Sequence, residues 1–272
     1  MTTELKDRLR KFARGKGRLT VLTGAGVSAE SGIPTFRGPE GYWNVGSVNY
    51  TPQEIGTFEM FQKNPEEVWK WYLFRRTVCH QSQPNPGHQA IVELEKILGD
   101  RFTLITQNVD GLHLRAGNSL ERTYLIHGTL DYVRCSVSCT DQLYPFPKGI
   151  GDKDRDSDLT AEEMKLLACP NCGALTRPHI LWFDEYYDER YFRFKSSLQV
   201  AKETELLITI GTSGATTLPV QVVDLALKSG ATMIDINIEP NIFSHAAVEM
   251  GSGYFLQGPS GEILPQLLEY FR

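Results

Sequence analysis

Four of the five cysteines fall in two close pairs, Cys135/Cys139 and Cys169/Cys172, with 29 residues between the pairs. Four thiolates are the complement of a tetrahedral Zn²⁺, and with four cysteines no coordination position stays open for water or substrate. A metal held there would be structural, stapling a small lobe, and its loss would unfold that lobe. The alternative is four free buried thiols. Cys79, in a helical pattern, reads as packing. Gly24-Ala-Gly-Val-Ser-Ala29 follows an apolar run and fits G-x-G-x-x-G/A, in which missing side chains let a pyrophosphate approach backbone N–H groups at a helix start. By itself such a turn could equally serve only to close packing. The acidic residue expected roughly 20 residues on, at the end of a second strand, is not found. Instead comes Glu30-Ser-Gly-Ile-Pro-Thr-Phe-Arg-Gly38, a polar, kinked loop unlike a dehydrogenase.

His127 stands between an apolar strand pattern and Gly128. An imidazole with pKa near 6.5 suits abstraction of a proton from a hydroxyl that becomes acidic as charge develops. Gln107, Asn108 and Asp110 share a short turn after another strand pattern, where a polar loop with an Asx turn would look the same. Tyr72 and Arg75, at i and i+3 in the helical run 64–80, put a phenol and a guanidinium on one face. That pair could bind a carboxylate, or could be a core-edge tyrosine beside a solvated charge. Arg76 reads as a surface neighbour.

These residues need elements to hold them. Runs at 19–23, 102–106, 123–126, 206–210 and 233–237 read as strands ending in polar or glycine residues, and helical patterns at 3–13, 88–98, 188–201 and 219–228 separate several of them. The alternation predicts an α/β fold, a parallel sheet with helices on both faces, binding its ligand beyond the carboxyl ends of the strands. Two segments interrupt it: 38–82, aromatic and helical, and 131–177, which holds the cysteine pairs and an exposed loop over 148–158. Together they could form a smaller lobe. The predicted partition is 1–37, 83–130 and 178–272 for the large domain, and 38–82 with 131–177 for the small lobe.

The chain has 272 residues, 41% apolar and 22% charged, which excludes a disordered or fibrous polypeptide. Its net charge of −5 offers no positive field for nucleic acid or anionic membrane, so neither is expected as a partner. Residues 1–19 lack the apolar stretch of a signal peptide and no window approaches ~18 apolar residues, so a cytoplasmic location is expected.

Residues 24–38 resemble the cofactor loop of the sirtuins, NAD-dependent protein lysine deacylases. Thr106-Gln-Asn-Val-Asp-Gly-Leu-His113 is similar to that family's nicotinamide-pocket motif, His127-Gly128 to its catalytic block, and Gly211-Thr-Ser213 and Asn237-Ile-Glu239 to its ribose and adenine contacts. Five blocks stand in the family's order from about residue 18 to 265. The resemblance implies a Rossmann-like sheet with a smaller zinc-binding and helical lobe, NAD as co-substrate and one structural Zn²⁺. NAD would be held by Gly24, Ala25, Gly26, Ser28, Ala29 and Glu30, by Thr35, Phe36, Arg37 and Trp43, by Gln107, Asn108 and Asp110, and by Gly211, Thr212, Ser213, Asn237, Ile238, Glu239 and Ser260.

The resemblance further makes His127 the general base, with Asp110 holding the nicotinamide carboxamide and Asn108 positioning ribose and water. Leu181, Phe183, Asp184 and Glu185, opposite the loop 214–219, would line the path of an acylated-lysine protein or peptide. Tyr72 and Arg75 match the Tyr-x-x-Arg of the desuccinylase-like class. The first cysteine pair departs from the family's usual C-x2-C by one residue, which alters a turn without forbidding chelation. The products would be free lysine, nicotinamide and an O-acyl-ADP-ribose, from succinyl-, malonyl-, glutaryl- or acetyl-lysine. Alternatives are a mainly deacetylating enzyme, and ADP-ribosyl transfer or NAD hydrolysis at the same site. A noncatalytic NAD sensor fits less well with His127, Asn108 and Asp110 all present.

Overall fold

A computed structural model describes residues 1–35, 50–249, 251 and 253–272. Phe36, Arg37 and Trp43, expected at the cofactor, lie outside the described residues. The strands in chain order are β1 (Arg18–Thr23), β2 (Phe102–Thr106), β3 (Thr123–Leu125), β4 (Gly128–Cys135), β5 (Tyr144–Pro145), β6 (Thr176–Ile180), β7 (Thr204–Ile210), β8 (Thr232–Asn237) and β9 (Tyr254–Gln257).

Six of them form one sheet in the order β3-β2-β1-β7-β8-β9, every neighbouring pair parallel. Period-two alternation splits each strand between two cores. Leu19, Val21, Leu104, Leu206, Ile208 and Ile234 face the helices Thr3–Arg14, Pro86–Leu98 and Ser260–Leu268. Leu22, Ile105, Leu207 and Met233 face Phe194–Glu203, Thr217–Lys228 and Ile242–Glu249 on the other side. The chain leaves β1 toward β2 and β3 in one direction, and β7 leads to β8 and β9 in the other. The loops after β1 and β7 therefore part at a topological switch point, the place where an open α/β sheet receives a ligand.

β5, β4 and β6 form a separate antiparallel sheet that overruns the expected cysteine segment, 131–177, by three residues at each end. It packs with the helix Pro65–Gln81 around Val68, Trp69, Tyr72, Val133, Ile180 and Trp182. Asn64 caps that helix, its side chain accepting from Glu67 N–H at 3.4 Å.

Two sequence expectations need local correction. The glycine motif opens a 3₁₀ helix, Ala25–Ser31, in place of an α-helix. The helix expected over 188–201 is two, Glu189–Phe192 and Phe194–Glu203, because Arg193 stands at φ +52° and Glu189 turns back to accept from Ser196 N–H at 2.9 Å, giving the second helix its own cap. Among the described residues no helix is long and apolar enough to cross a membrane.

Candidate active site

The loops after β1 and β7 meet backbone to backbone. Gly24 N–H donates to Ile210 O at 2.9 Å and Gly26 N–H to Gly211 O at 2.8 Å. A Cβ on Gly26 would lie 2.6 Å from Gly211 Cα, and one on Gly211, at φ +58°, would lie 2.5 Å from Val27 N. The glycines thus close a seam at the switch point, and the packing role weighed for this turn is real. It places Ser28, on the turn that follows, against the loop after β2.

Ser28 is the centre of a buried polar cluster. Its hydroxyl donates to Asp110 Oδ2 at 2.8 Å and accepts from Asn108 Nδ2 at 3.1 Å. Leu112 N–H donates to Asp110 Oδ1 at 2.8 Å, and Asn108 N–H donates to Thr106 Oγ1 at 3.1 Å. Burial raises the Asp110 pKa above the usual 3.8, opposed by the Leu112 and Ser28 hydrogen bonds. Behind Ser28 stand two histidines. His88 Nδ1 accepts from Asn85 N–H at 3.4 Å, which leaves its Nε2–H facing Ser28 Oγ at 3.5 Å. The His113 ring lies 4.8 Å from that of His88, and its Nε2 is 3.0 Å from Thr23 Oγ1.

His127 occupies the corner between β3 and β4, half-buried. Gly128, next to it, has φ +85°, and a Cβ there would sit 2.0 Å from His179 O, so only glycine lets the chain turn this sharply into β4. His127 Nδ1 lies 3.0 Å from Gln107 O, and Nε2 lies 2.7 Å from Tyr187 Oη. Gln107 is itself held by its side chain: Nε2 donates to Thr212 Oγ1 at 2.8 Å, and Oε1 accepts from Thr216 at 3.0 Å.

Burial lowers the pKa of His127 and of His88 to about 4, of His179 to about 3, and of His113 well below the usual 6.5. Between pH 6.5 and about 4 the unfolded chain binds protons that these imidazoles refuse when folded, so stability falls as pH falls. We expect Tm to decline steadily through that window. A Tm flat from pH 7 to 5 would contradict the buried neutral imidazoles.

Cys135 ends β4, and the residue added to the first cysteine spacing is taken up by Ser138 at φ +51°, in the turn that brings Cys139 back. Cys169 and Cys172 lie in the turn before β6, closed by Cys169 N–H to Ala174 O at 2.7 Å and Gly173 N–H to Cys169 O at 2.9 Å. The Cys135–Cys172 and Cys139–Cys169 Sγ separations are 3.6 and 3.7 Å, and all four sulfurs lie within 4.8 Å of one another. Thiolates about 2.3 Å from a tetrahedral zinc stand about 3.8 Å apart. The four cysteines are positioned for a zinc site.

Against this geometry the sequence matches the Sir2 family over residues 24–217. The chain belongs to the Sir2 family. A relative from Leptospira interrogans, described as an NAD-dependent protein deacylase, is 42% identical over 264 residues, 97% of each chain. Among solved structures, a mutant Sir2 homologue in complex with ADP-ribose superposes with a TM-score of 0.80 at 33% identity, covering 100% of this chain and 97% of that one. A Sir2 homolog–NAD complex does so at 0.78 and 33%, covering 98% and 93%.

The remaining residues expected at the site of this Sir2-family chain divide by what holds them. Asn237 Nδ2 donates to Thr212 O at 3.0 Å, tying the loop after β8 to the loop after β7 that carries Ser213, while Ile238 and Glu239 project into solvent. Glu30 accepts from Ser260 Oγ at 3.0 Å and from Gly261 N–H at 2.8 Å, so its carboxylate covers the start of the last helix and the Ser260 hydroxyl braces it. Ala25, Ala29 and Thr35 stay at least partly accessible.

On the substrate side, Leu181 N–H donates to His127 O at 3.0 Å and Phe183 is exposed. Asp184 accepts from Phe58 and Glu59 N–H at 2.8 and 3.1 Å, and Glu185 accepts from Arg177 at 2.6 and 2.7 Å. Both carboxylates therefore brace the loop through protein partners. Tyr72 and Arg75 are both buried. The Arg75 guanidinium lies 4.7 Å from the Trp71 ring centroid and 5.7 Å from that of Tyr72, and Trp182 Nε1–H donates to Tyr72 Oη at 2.9 Å. Arg76, expected as a surface neighbour, is half-buried, its guanidinium 3.8 Å from the ring centroid of Phe146, which packs on the core beneath the second sheet. Sequence reasoning assigned no role to His88 or Tyr187, and it held His113 and Thr216 only as members of the motif 106–113 and the loop 214–219. Nothing in the local pattern around His88 or Tyr187 separates them from ordinary core and surface positions.

Proposed function

We propose that this chain is an NAD-dependent protein-lysine deacylase, producing nicotinamide and an O-acyl-ADP-ribose from an acylated lysine. The observation that carries the reading is the pairing of the Ser28–Asn108–Asp110 cluster at the switch point with an imidazole whose Nε2 is its one acceptor nitrogen. NAD supplies an anomeric carbon that can accept the amide oxygen as nicotinamide leaves. The chain's part is to hold and to move protons. Asp110 presents an acceptor to the carboxamide, Asn108 positions ribose and water, Gln107 faces the ribose hydroxyls, and His127 takes a ribose proton at Nε2. The exposed loop 183–186 opposite Gly214–Pro219 would receive an extended peptide through its backbone, with little demand on side chains.

Mass spectrometry of a reaction with NAD and acyl-peptide tests this. Free lysine peptide and O-acyl-ADP-ribose in equal amounts are expected. Intact acyl-lysine beside ADP-ribosylated protein, or nicotinamide release without deacylation, would assign transfer or NAD hydrolysis instead.

For the acyl group we read Tyr72 and Arg75 as a carboxylate site. The indole N–H of Trp182 orients the phenol, and burial raises its pKa to about 12, so the phenol keeps a proton to donate beside the guanidinium. Succinyl-lysine is then processed at least as well as acetyl-lysine. Losing a charge-assisted contact costs about 1.5–3 kcal/mol, so Arg75→Met should lower kcat/KM for the succinyl peptide about tenfold or more while sparing the acetyl peptide. Equal losses on both substrates would remove the assignment. The two-lobe partition, with 38–82 and 131–177 as the smaller lobe, and a cytoplasmic location belong to the same reading. Thiols kept reduced for zinc support the second.

A further inference from the structure

The phenol of Tyr187 meets the acceptor nitrogen of His127 at 2.7 Å. The tautomer follows from the other side of the ring. Gln107 O can only accept, so Nδ1 carries the hydrogen and Nε2 offers a lone pair. Tyr187 O–H is therefore the donor. Burial raises its pKa to about 12, so it keeps that proton at neutral pH.

The tyrosine is held on both flanks. Two residues before it, Glu185 is clamped by Arg177 at 2.6 and 2.7 Å and by Trp182 N–H at 3.0 Å. One residue after it, Asp188 caps the helix Glu189–Phe192 by accepting from Tyr191 N–H at 2.6 Å. The phenol ring stacks on Phe194 at 6.3 Å with a 20° interplanar angle. Its hydroxyl also faces Thr216, which donates to Gln107 Oε1 at 3.0 Å. A side chain braced in this way does not reach the imidazole by a chance rotamer.

We propose that Tyr187 is a positioning residue for the base: its phenol holds His127 in the Nδ1–H tautomer and covers Nε2 until a ribose hydroxyl takes its place. This rests on the reading of His127 as the base. The exchange replaces one O–H donor by another, and Thr216 stays beside the displaced phenol, so uncovering the nitrogen costs little. The ribose proton then passes to Nε2, and the phenol is left protonated. A donor on the lone pair stabilises the neutral imidazole and makes it a weaker base in the resting enzyme. The groups facing the ring are the Gln107 carbonyl after β2 and Tyr187, with Thr216 beyond. Its depressed pKa arises from burial, offset by Gln107, with no charged side chain contributing among the described residues.

Nitrogen-15 NMR of histidine-labelled protein reads the contact without any substrate. In the wild type, His127 Nε2 should resonate as a hydrogen-bonded acceptor. In Tyr187→Phe, which keeps the stacked ring, it should move to the free-acceptor position. The His127 midpoint should rise by about half a unit to one unit, the acid limb of kcat/KM should move up by the same amount, and kcat should fall. A folded Tyr187→Phe with an unmoved resonance and limb overturns the proposal, as does a wild-type Nε2 with no hydrogen bond. A fully active His127→Asn would instead remove the base assignment and the role of Tyr187 with it, whatever the wild-type resonance reports about the contact.

Discussion

Alanine at His127 should lower kcat for deacylation by about 10²–10⁴-fold, the range a positioned general base contributes, with NAD binding largely kept. Truncation removes two hydrogen bonds, to Gln107 O and Tyr187 Oη, from a half-buried corner, and leaves the Ser28–Asn108–Asp110 cluster whole. The fold survives, so the loss is read in kcat, with a small fall in Tm from the two lost hydrogen bonds and unchanged NAD affinity by calorimetry. Because burial lowers the pKa of His127 to about 4, the base is already neutral at pH 6. The wild-type kcat/KM should therefore fall on the acid side only below the usual imidazole range, and that limb should vanish from the residual activity of His127→Ala. A variant that deacylates at the wild-type rate would end the assignment.

Stripping zinc should have the larger structural effect. Structural Zn²⁺ sites contribute apparent free energies of about 10–16 kcal/mol, as large as a domain's whole net stability of about 5–15 kcal/mol, so the segment closed by the cysteines is not expected to hold its shape without metal. The consequence reaches the active site through covalent continuity. β4 starts at Gly128 beside His127, β6 runs into Leu181, which donates to His127 O at 3.0 Å, and Arg177 of β6 clamps Glu185. Chelation, or Cys169→Ser, should abolish activity and raise hydrogen exchange across 135–175, while the sheet residues around Leu19, Val21 and Ile208 stay protected. The untreated protein should contain one zinc per chain. Full protection of 135–175 in metal-free protein would show that the hydrophobic core under the second sheet suffices.

How far the sequence could be read depended on whether a residue's role is local. The five strand runs and their polar ends were legible because a buried parallel strand leaves an apolar run of fixed length, and all five stand in the sheet within one or two residues. The cysteine pairs were legible because chelation needs four thiols and little else. The second sheet was not, since β4, β5 and β6 pair across intervals that carry no alternation of their own. Nor was the break at Arg193, which depends on Glu189 reaching Ser196. Nor was the pairing of Glu30 with Ser260, which the fold brings together across 230 positions.

From residue order alone came the α/β class, the four thiols positioned for a metal, the glycine turn and the imidazole at a strand end, because each is set by neighbours within a few residues. The tertiary structure decided which polar side chains meet: Ser28 with Asp110, His127 with Tyr187, Tyr72 with Trp182. Those pairings join residues 60 to 110 positions apart, and their partners are chosen by strand order and burial, which no local pattern encodes.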